Sequence, residues 1–225
     1  MKTINILNSS KKVKANNIFC VGLNYSNHIK EMNSVFKKSE YPVIFLKPNS
    51  AIITNNETII IPDLSNEVNY ETELVVFIKK DCYNIPKEKA YDYILGYSIG
   101  IDVTLRDIQK KAKENGHPWA LAKGFYTSAP VSDIILKENI NDIQNAEFSL
   151  YVNDELKQKG NTKDMLFKID ELVSYLSKYF SLKKGDLIFT GTPEGVGLIK
   201  KGDKLKAILN NSLQLNINVE KIIIS

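Results

Sequence analysis

The stretch Tyr70-Glu71-Thr72-Glu73-Leu74-Val75-Val76-Phe77-Ile78 constrains this chain more than any other. β-Branched and aromatic residues dominate it, and neither Pro nor Gly interrupts it, so it reads as a strand. Strand side chains alternate between faces, so Glu71 and Glu73 share a face with Val75 and Phe77. Two carboxylates thus sit at one end of a face whose other end is apolar. Burial sharpens their mutual repulsion. A cation should resolve it, and two carboxylates on a rigid strand suit a hard divalent ion such as Mg²⁺. On its own, Glu-x-Glu is common and a solvent-facing edge explains it better. The rest of the chain decides.

The 225 residues, 43% hydrophobic, suffice for one substantial core. There is no internal repeat, low-complexity segment or linker, so a single domain over 1–225 is expected, with a short segment 1–16 leading in. The net charge is +4 and the lysines are scattered. Nucleic-acid binding would need a concentrated basic stripe, and none is present. Cys20 and Cys82 form no Cys-x-x-Cys pair, which argues against a thiolate zinc site and for reduced thiols in a cytoplasmic protein. The start Met1-Lys2-Thr3-Ile4-Asn5 lacks the apolar core of a signal peptide, and no apolar run approaches the roughly 20 residues that span a bilayer. No membrane partner is expected.

Strand-like runs recur at Met1 to Leu7, Ile18 to Gly22, Pro42 to Leu46, Tyr97 to Val103, Phe148 to Val152 and Asp186 to Thr190. The alternating segment from Leu205 to Val219 reads as a closing hairpin. Asn8 to Asn17 reads as turns, and the charged, aperiodic stretch Val35 to Tyr41 as a mobile loop. Asn55-Asn56 between Ile52-Ile53 and Ile59 to Ile61 suits a hairpin turn, and Asn153-Asp154 is a stronger one. Ser26 can cap a short helix that places His28 and Glu31 on one face. Pro86 to Tyr93 opens like a short helix. Thr104 and Asp107 have a capping-box-like spacing, with Gly116 as the stop. Asp170 should cap the clearest helix, whose apolar face is Leu172, Val173, Leu176, Tyr179 and Phe180. Regular βαβ alternation is absent, which points to a mixed, β-rich α+β domain with a few short helices.

Several unusual residues fall at strand ends. Asp102 ends one strand and could complete a Glu, Glu, Asp oxygen site, although an acid before a helix also serves its dipole. Arg106 and Gln109 share a helix face near its N-terminus and suit a carboxylate ligand, while a solvated face would explain Gln109 equally. Lys123 lies in an apolar segment read as a loop, where it either snorkels or meets a negative charge. His28 and Glu31 could form a water-activating pair, against the plainer reading of a surface histidine. The glycines of Gly191 to Gly197 lack the Gly-Lys-Ser/Thr of a nucleotide loop. Their backbone amides could instead approach an anionic ligand, or they could simply form tight turns.

Read in order, these pieces resemble the fumarylacetoacetate hydrolase superfamily, in its acylpyruvate hydrolase and oxaloacetate decarboxylase branch. The matching segments are Cys20-Val21-Gly22-Leu23-Asn24-Tyr25-x-x-His28, Phe45-Leu46-Lys47-Pro48, Glu71-Thr72-Glu73-Leu74 and Gly100-Ile101-Asp102-Val103-Thr104-Leu105-Arg106-Asp107-x-Gln109. They continue through Leu121-Ala122-Lys123-Gly124-Phe125, Val152-Asn153-Asp154 and Gly185-Asp186 to Thr190-Gly191-Thr192-Pro193-x-Gly195-Val196-Gly197. The resemblance implies the family's mixed β-sheet roll and, as is common there, a homodimer. It implies that Glu71, Glu73 and Asp102 hold Mg²⁺, with Mn²⁺ or Ca²⁺ as alternatives. Arg106, Gln109, Lys123 and Thr192 would contact a small 2-oxo or diketo acid, and His28 with Glu31 would form a catalytic dyad on a flexible lid, with Lys123 stabilising the enolate that leaves. The implied reaction is hydrolysis of a C–C bond in a 3-acylpyruvate. Oxaloacetate decarboxylation or oxo-diacid isomerisation or tautomerisation at the same metal site is the alternative, and a non-enzymatic metal-binding β-domain the third reading.

Overall fold

The structure is a computed structural model that describes residues 2–31 and 40–221. The loop expected from Val35 therefore lies outside the described residues up to position 39. In chain order the principal strands are β1 (Ile18–Gly22), β2 (Val43–Lys47), β3 (Thr58–Ile61), β4 (Thr72–Ile78), β5 (Ile94–Ile101), β6 (Ile135–Leu136), β7 (Glu147–Val152), β8 (Glu155–Asn161), β9 (Leu187–Phe189), β10 (Lys204–Leu209) and β11 (Leu213–Lys221). The α-helices are α1 (Ser26–Glu31), α2 (Arg106–Glu114), α3 (Ala120–Lys123) and α4 (Ile169–Tyr179). The architecture is mixed α+β, as expected.

A six-stranded sheet runs in the order β6-β5-β4-β9-β1-β2 and a five-stranded sheet in the order β8-β7-β10-β11-β3. All of β4 is buried. Its Val75 and Phe77 pack with Ile18, Cys20 and Phe189 on one face. Leu74, Val76 and Ile78 pack on the other, in a core shared with Leu172 and Leu176 of α4 and with the inward residues of the second sheet. Alternation along β10 and β11 supplies that second layer, since Leu205, Ala207, Leu209, Leu213, Leu215, Ile217 and Val219 are all buried. The β7–β8 hairpin closes on Asn153 and Asp154 at φ +50° and +65°, the left-handed conformation such a turn demands.

The structure corrects several local expectations. The opening strand is broken at Glu71: Val68–Tyr70 pairs with Thr104–Leu105 and Gly197–Leu198, while β4 begins at Thr72. Lys12–Lys14, read as turn, pairs with Thr3–Asn5. Ile52–Ile53 and β3 do not form a hairpin. The first pairs with Ala129–Pro130 and the second with β11, both in parallel, although Asn56 does turn at φ +66°. Thr104 is a strand residue and α2 starts at Arg106, because the Arg106 amide bonds Glu67 O at 2.7 Å. Lys123 ends a short helix rather than lying in a loop. Asp170 lies inside the first turn of α4, and the Lys168 amide is met by the Glu171 carboxylate at 2.8 Å. Tyr179 is 65% exposed and takes no part in the buried face of α4.

Asn24, fully buried just after β1, ties the parts together. Its Nδ2 donates to Thr190 O at 2.8 Å and Phe167 O at 3.1 Å, and its Oδ1 accepts from the Phe167 amide at 2.7 Å. Asn24→Ala would unpair buried groups at the end of β9 and before α4. We expect a loss of about 2–4 kcal/mol in urea unfolding with an unchanged m-value. A loss well under 1 kcal/mol would show that water replaces the amide.

Candidate active site

Antiparallel pairing builds the site. Thr72 faces Ile101 and Glu73 faces Gly100, so the register sets Asp102 opposite Glu71, and the Asp102 amide bonds Glu71 O at 2.7 Å. Glu71 and Glu73 lie two residues apart on one face, and cross-strand neighbours share that face. The result is three buried carboxylates whose oxygens lie within 4.8 Å of one another. Spacing alone predicted the first two, and the pairing of β4 with β5 brings in the third.

The cations around them are shared unequally. Glu71 takes a hydrogen bond from Arg106 Nη2 through Oε1 and one from Lys123 Nζ at 2.9 Å through Oε2. Asp102 Oδ2 accepts from Lys123 Nζ at 2.6 Å. Lys47 Nζ lies 2.8 Å from Asp102 Oδ1, but hydrogen-bonds the carbonyls of Val103, Lys123 and Ser128. Asp102 Oδ1 is thus buried without a hydrogen bond. Glu73 receives the Gly191 amide at 2.7 Å. A buried oxygen that has an ammonium beside it but no hydrogen bond, and a carboxylate met by an amide, in an all-oxygen donor set, fit a hard divalent cation.

The protonation pattern follows. Burial, then repulsion from Asp102 and Glu71, pushes the Glu73 carboxyl well above the usual range, against the Gly191 amide and Lys123. Burial would also raise Glu71, but Lys123, Arg106 and His28 outweigh it and hold it well below. Burial would lower Lys123, but Asp102 and Glu71 hold it above an ordinary lysine. Its ammonium also meets Thr104 Oγ1 at 2.6 Å, so its hydrogens are committed and it acts on a ligand through charge.

The cleft, of about 190 Å³, suits a metabolite of a few carbons, and it brings together Glu71, Glu73, Asp102, Arg106, Gln109, Lys123, Thr192 and His28. His28 is 5% exposed, which removes the surface-histidine reading. Burial lowers its pKa, opposed by Glu71 and by the Glu31 hydrogen bond, Nδ1 to Oε2 at 3.4 Å. Gln109 is buried and accepts from Arg106 Nη1 at 2.6 Å, so it is no solvated face. The Gly191 to Gly197 loop serves the site differently from expectation. The Gly191 and Gly195 amides, at φ +99° and +90°, go to Glu73 and Glu31 rather than to an outside anion. A Cβ on Gly191 would come within 2.7 Å of Asn24 Cβ, so only glycine fits there.

Sequence reasoning named Lys47 within a matching segment but gave it no role, although a lone cation between an apolar strand and Pro48 was a signal. It also passed over the cleft wall of Phe45, Trp119 and Lys113. The two rings lie 5.8 Å apart and the Lys113 ammonium 5.1 Å over the indole. Trp119 is the chain's one tryptophan, which was the available hint.

Known proteins are similar to this chain along most of its length. The family model described as fumarylacetoacetate (FAA) hydrolase C-terminal matches residues 17–220. The mitochondrial oxaloacetate tautomerase of Homo sapiens is 42% identical over 205 residues, 91% of this chain and 92% of that protein. Its Arabidopsis thaliana counterpart is 43% identical over 204 residues, 91% of each. Fumarylpyruvate hydrolase from Pseudomonas aeruginosa, crystallised in complex with Mn²⁺ and pyruvate, superposes with a TM-score of 0.94 at 32% identity. The match covers 98% of this chain and 96% of that one.

The unequal sharing of cations is testable. Glu73→Gln keeps an acceptor for the Gly191 amide and removes a carboxyl whose ionisation burial and its acid neighbours oppose. Without metal, its melting temperature should equal or exceed that of the unsubstituted protein. The upward shift that MgCl₂ gives the latter should vanish. A clear drop without metal would mean the repulsion is resolved some other way.

Proposed function

The chain belongs to the fumarylacetoacetate hydrolase family, and from that premise we propose that it is a metal-dependent hydrolase cleaving a C–C bond in 3-acylpyruvate-type diketo acids. The observation that carries this reading is one cleft holding three buried carboxylates beside a buried His28 paired with Glu31. Glu71, Glu73 and Asp102 would hold the ion, Mg²⁺ in the first instance, with Mn²⁺ or Ca²⁺ compatible with the same oxygens. When bound, it supplies Lewis acidity and a template for the 2-oxo acid.

The chain's own groups then divide the work. Arg106, Gln109 and Thr192 orient the carboxylate and oxo groups. Burial keeps His28 neutral near pH 7, ready to accept a proton. Glu31 at Nδ1 directs the other ring nitrogen, Nε2, to a water. Nε2 takes a proton from that water as its oxygen bonds the distal carbonyl carbon. The bond from that carbon to C3 breaks and its electron pair leaves on a pyruvate enolate, which faces the Lys123 charge. His28 returns the proton to C3, giving pyruvate and a carboxylic acid.

A second reading has a specific observation behind it: relatives 42–43% identical over nine-tenths of the chain are named oxaloacetate tautomerases. Tautomerisation needs His28 to move a proton at C3 and no water attack, and decarboxylation would draw on the same enolate stabilisation. The proposal extends to one catalytic domain over 1–225 acting in the cytoplasm, as the composition and the unpaired cysteines led us to expect, and as a homodimer, which the family resemblance implied. Among the described residues no helix is long and apolar enough to cross a membrane.

A Mg²⁺-supplemented panel of acylpyruvates, fumarylpyruvate and oxaloacetate separates the readings. Pyruvate release from the first two supports hydrolysis, and enol–keto exchange of the last without cleavage supports tautomerisation. His28→Ala should cut turnover by about 10²–10⁴-fold and leave Mg²⁺ affinity intact. Unchanged turnover would sink the base role. The pH profile carries a sign. Neutral His28 is the active form, so kcat/KM falls as pH drops through a pKa held below the ordinary imidazole value. Glu31 raises that pKa, so Glu31→Gln should move the acidic limb further down while lowering the plateau. A limb that stays put belongs to another group.

A further inference from the structure

Gln158, on the second sheet in β8, is 1% exposed and reaches the cleft from behind. Its Oε1 accepts from the Thr72 amide at 3.0 Å, and its Nε2 lies 2.9 Å from Thr192 Oγ1 and 3.1 Å from Pro193 O. Thr72 is the residue between the two glutamates, and its amide can only donate. That fixes the side-chain amide: the oxygen must face Thr72 and the NH₂ must face Thr192. The Pro193 carbonyl, which can only accept, demands the same orientation. Thr192 is 2% exposed and lines the cleft. With Gln158 donating to its oxygen, the Thr192 hydroxyl hydrogen must point elsewhere, and among the described residues nothing accepts it.

We propose that Gln158 is a positioning residue that fills one acceptor site of Thr192 and so turns its hydroxyl hydrogen toward an anionic oxygen of the bound 2-oxo acid. This rests on the reading of the cleft as a 2-oxo acid site. The ligand class it selects is one that presents an acceptor to Thr192, a carboxylate or enolate oxygen. A ligand without an acceptor there would leave the buried Thr192 hydrogen unpaired and bind more weakly. The strand that spaces the carboxylates thereby also sets the polarity of the opposite wall through one amide.

Oxalate serves as the probe, with Mg²⁺-loaded protein and titration calorimetry. Thr192→Val should weaken oxalate by about 10- to 100-fold, the worth of one hydrogen bond to an anion, and Thr192→Ser should stay within about threefold of the unsubstituted protein. Gln158→Met should weaken oxalate to a similar degree with Mg²⁺ affinity unchanged, and the double variant Gln158→Met/Thr192→Val should be no worse than Thr192→Val alone. Additive losses, or parallel loss of Mg²⁺, would reduce Gln158 to a packing role and overturn the proposal. Should Gln158→Met fail to fold, neutron diffraction of the unsubstituted protein with Mg²⁺ and oxalate decides: deuterium on Thr192 Oγ1 must point at oxalate, and deuterium pointing at Gln158 overturns it. Absence of any oxalate binding by the unsubstituted protein would instead fail the 2-oxo acid reading, and this inference with it.

Discussion

Three carboxylates buried within 4.8 Å of one another cannot all stay charged without help. Two like charges about 4 Å apart repel by on the order of 4 kcal/mol at the effective dielectric of a protein. Around this cluster the protein sets Lys47, Lys123 and Arg106, and it spends them on Glu71 and Asp102. Glu73 gets a backbone amide. The sharing is unequal rather than short of charge, and the carboxylate left without a cation, Glu73, together with two buried acid neighbours makes the cluster a candidate cation site.

The surrounding architecture follows from the need to hold this arrangement dry. The break at Glu71 lets one chain segment serve two pairings, with Thr104–Leu105 before the break and β5 after it. Lys47 sits behind the cluster with its hydrogens on three carbonyls, so its charge reaches Asp102 while its geometry holds the α3 end in place. Gly191 allows the close approach that meets Glu73, and Gly195 does the same for Glu31, so one loop touches both the acid cluster and the histidine pair.

Much of this was legible in the sequence because it is local. Period-two alternation gave the shared face of Glu71 and Glu73, and Asn153-Asp154 gave its hairpin. Ser26 gave the helix that sets His28 beside Glu31. The failures came where a distant partner overrode a local preference. Thr104 has the spacing of a cap but is drawn into a strand and into the Lys123 ammonium. Asn55-Asn56 turns, yet the flanking strands go to different sheets through parallel pairings that no local pattern encodes. The roles of Asn24 and Gln158 depend on contacts with Phe167 and Thr192, far along the chain, and so left no local trace.

Those parallel pairings also bear on how the molecule comes to exist. Ile18 lies beside Leu187 in the first sheet, and Thr58 beside Asn218 in the second. Both closures join segments that are far apart in the sequence. The entropy of forming such loops must be overcome before their contacts stabilise anything. The β7–β8 and β4–β5 pairings are local, while the pairing of β4 with β9 needs chain more than a hundred residues further on. The β4–β5 pairing that gathers the three carboxylates is local, whereas the neighbour of β4 on its other side, and the Gly191 amide that meets Glu73, come from far along the chain. The cluster is thus gathered by near sequence and enclosed by distant sequence.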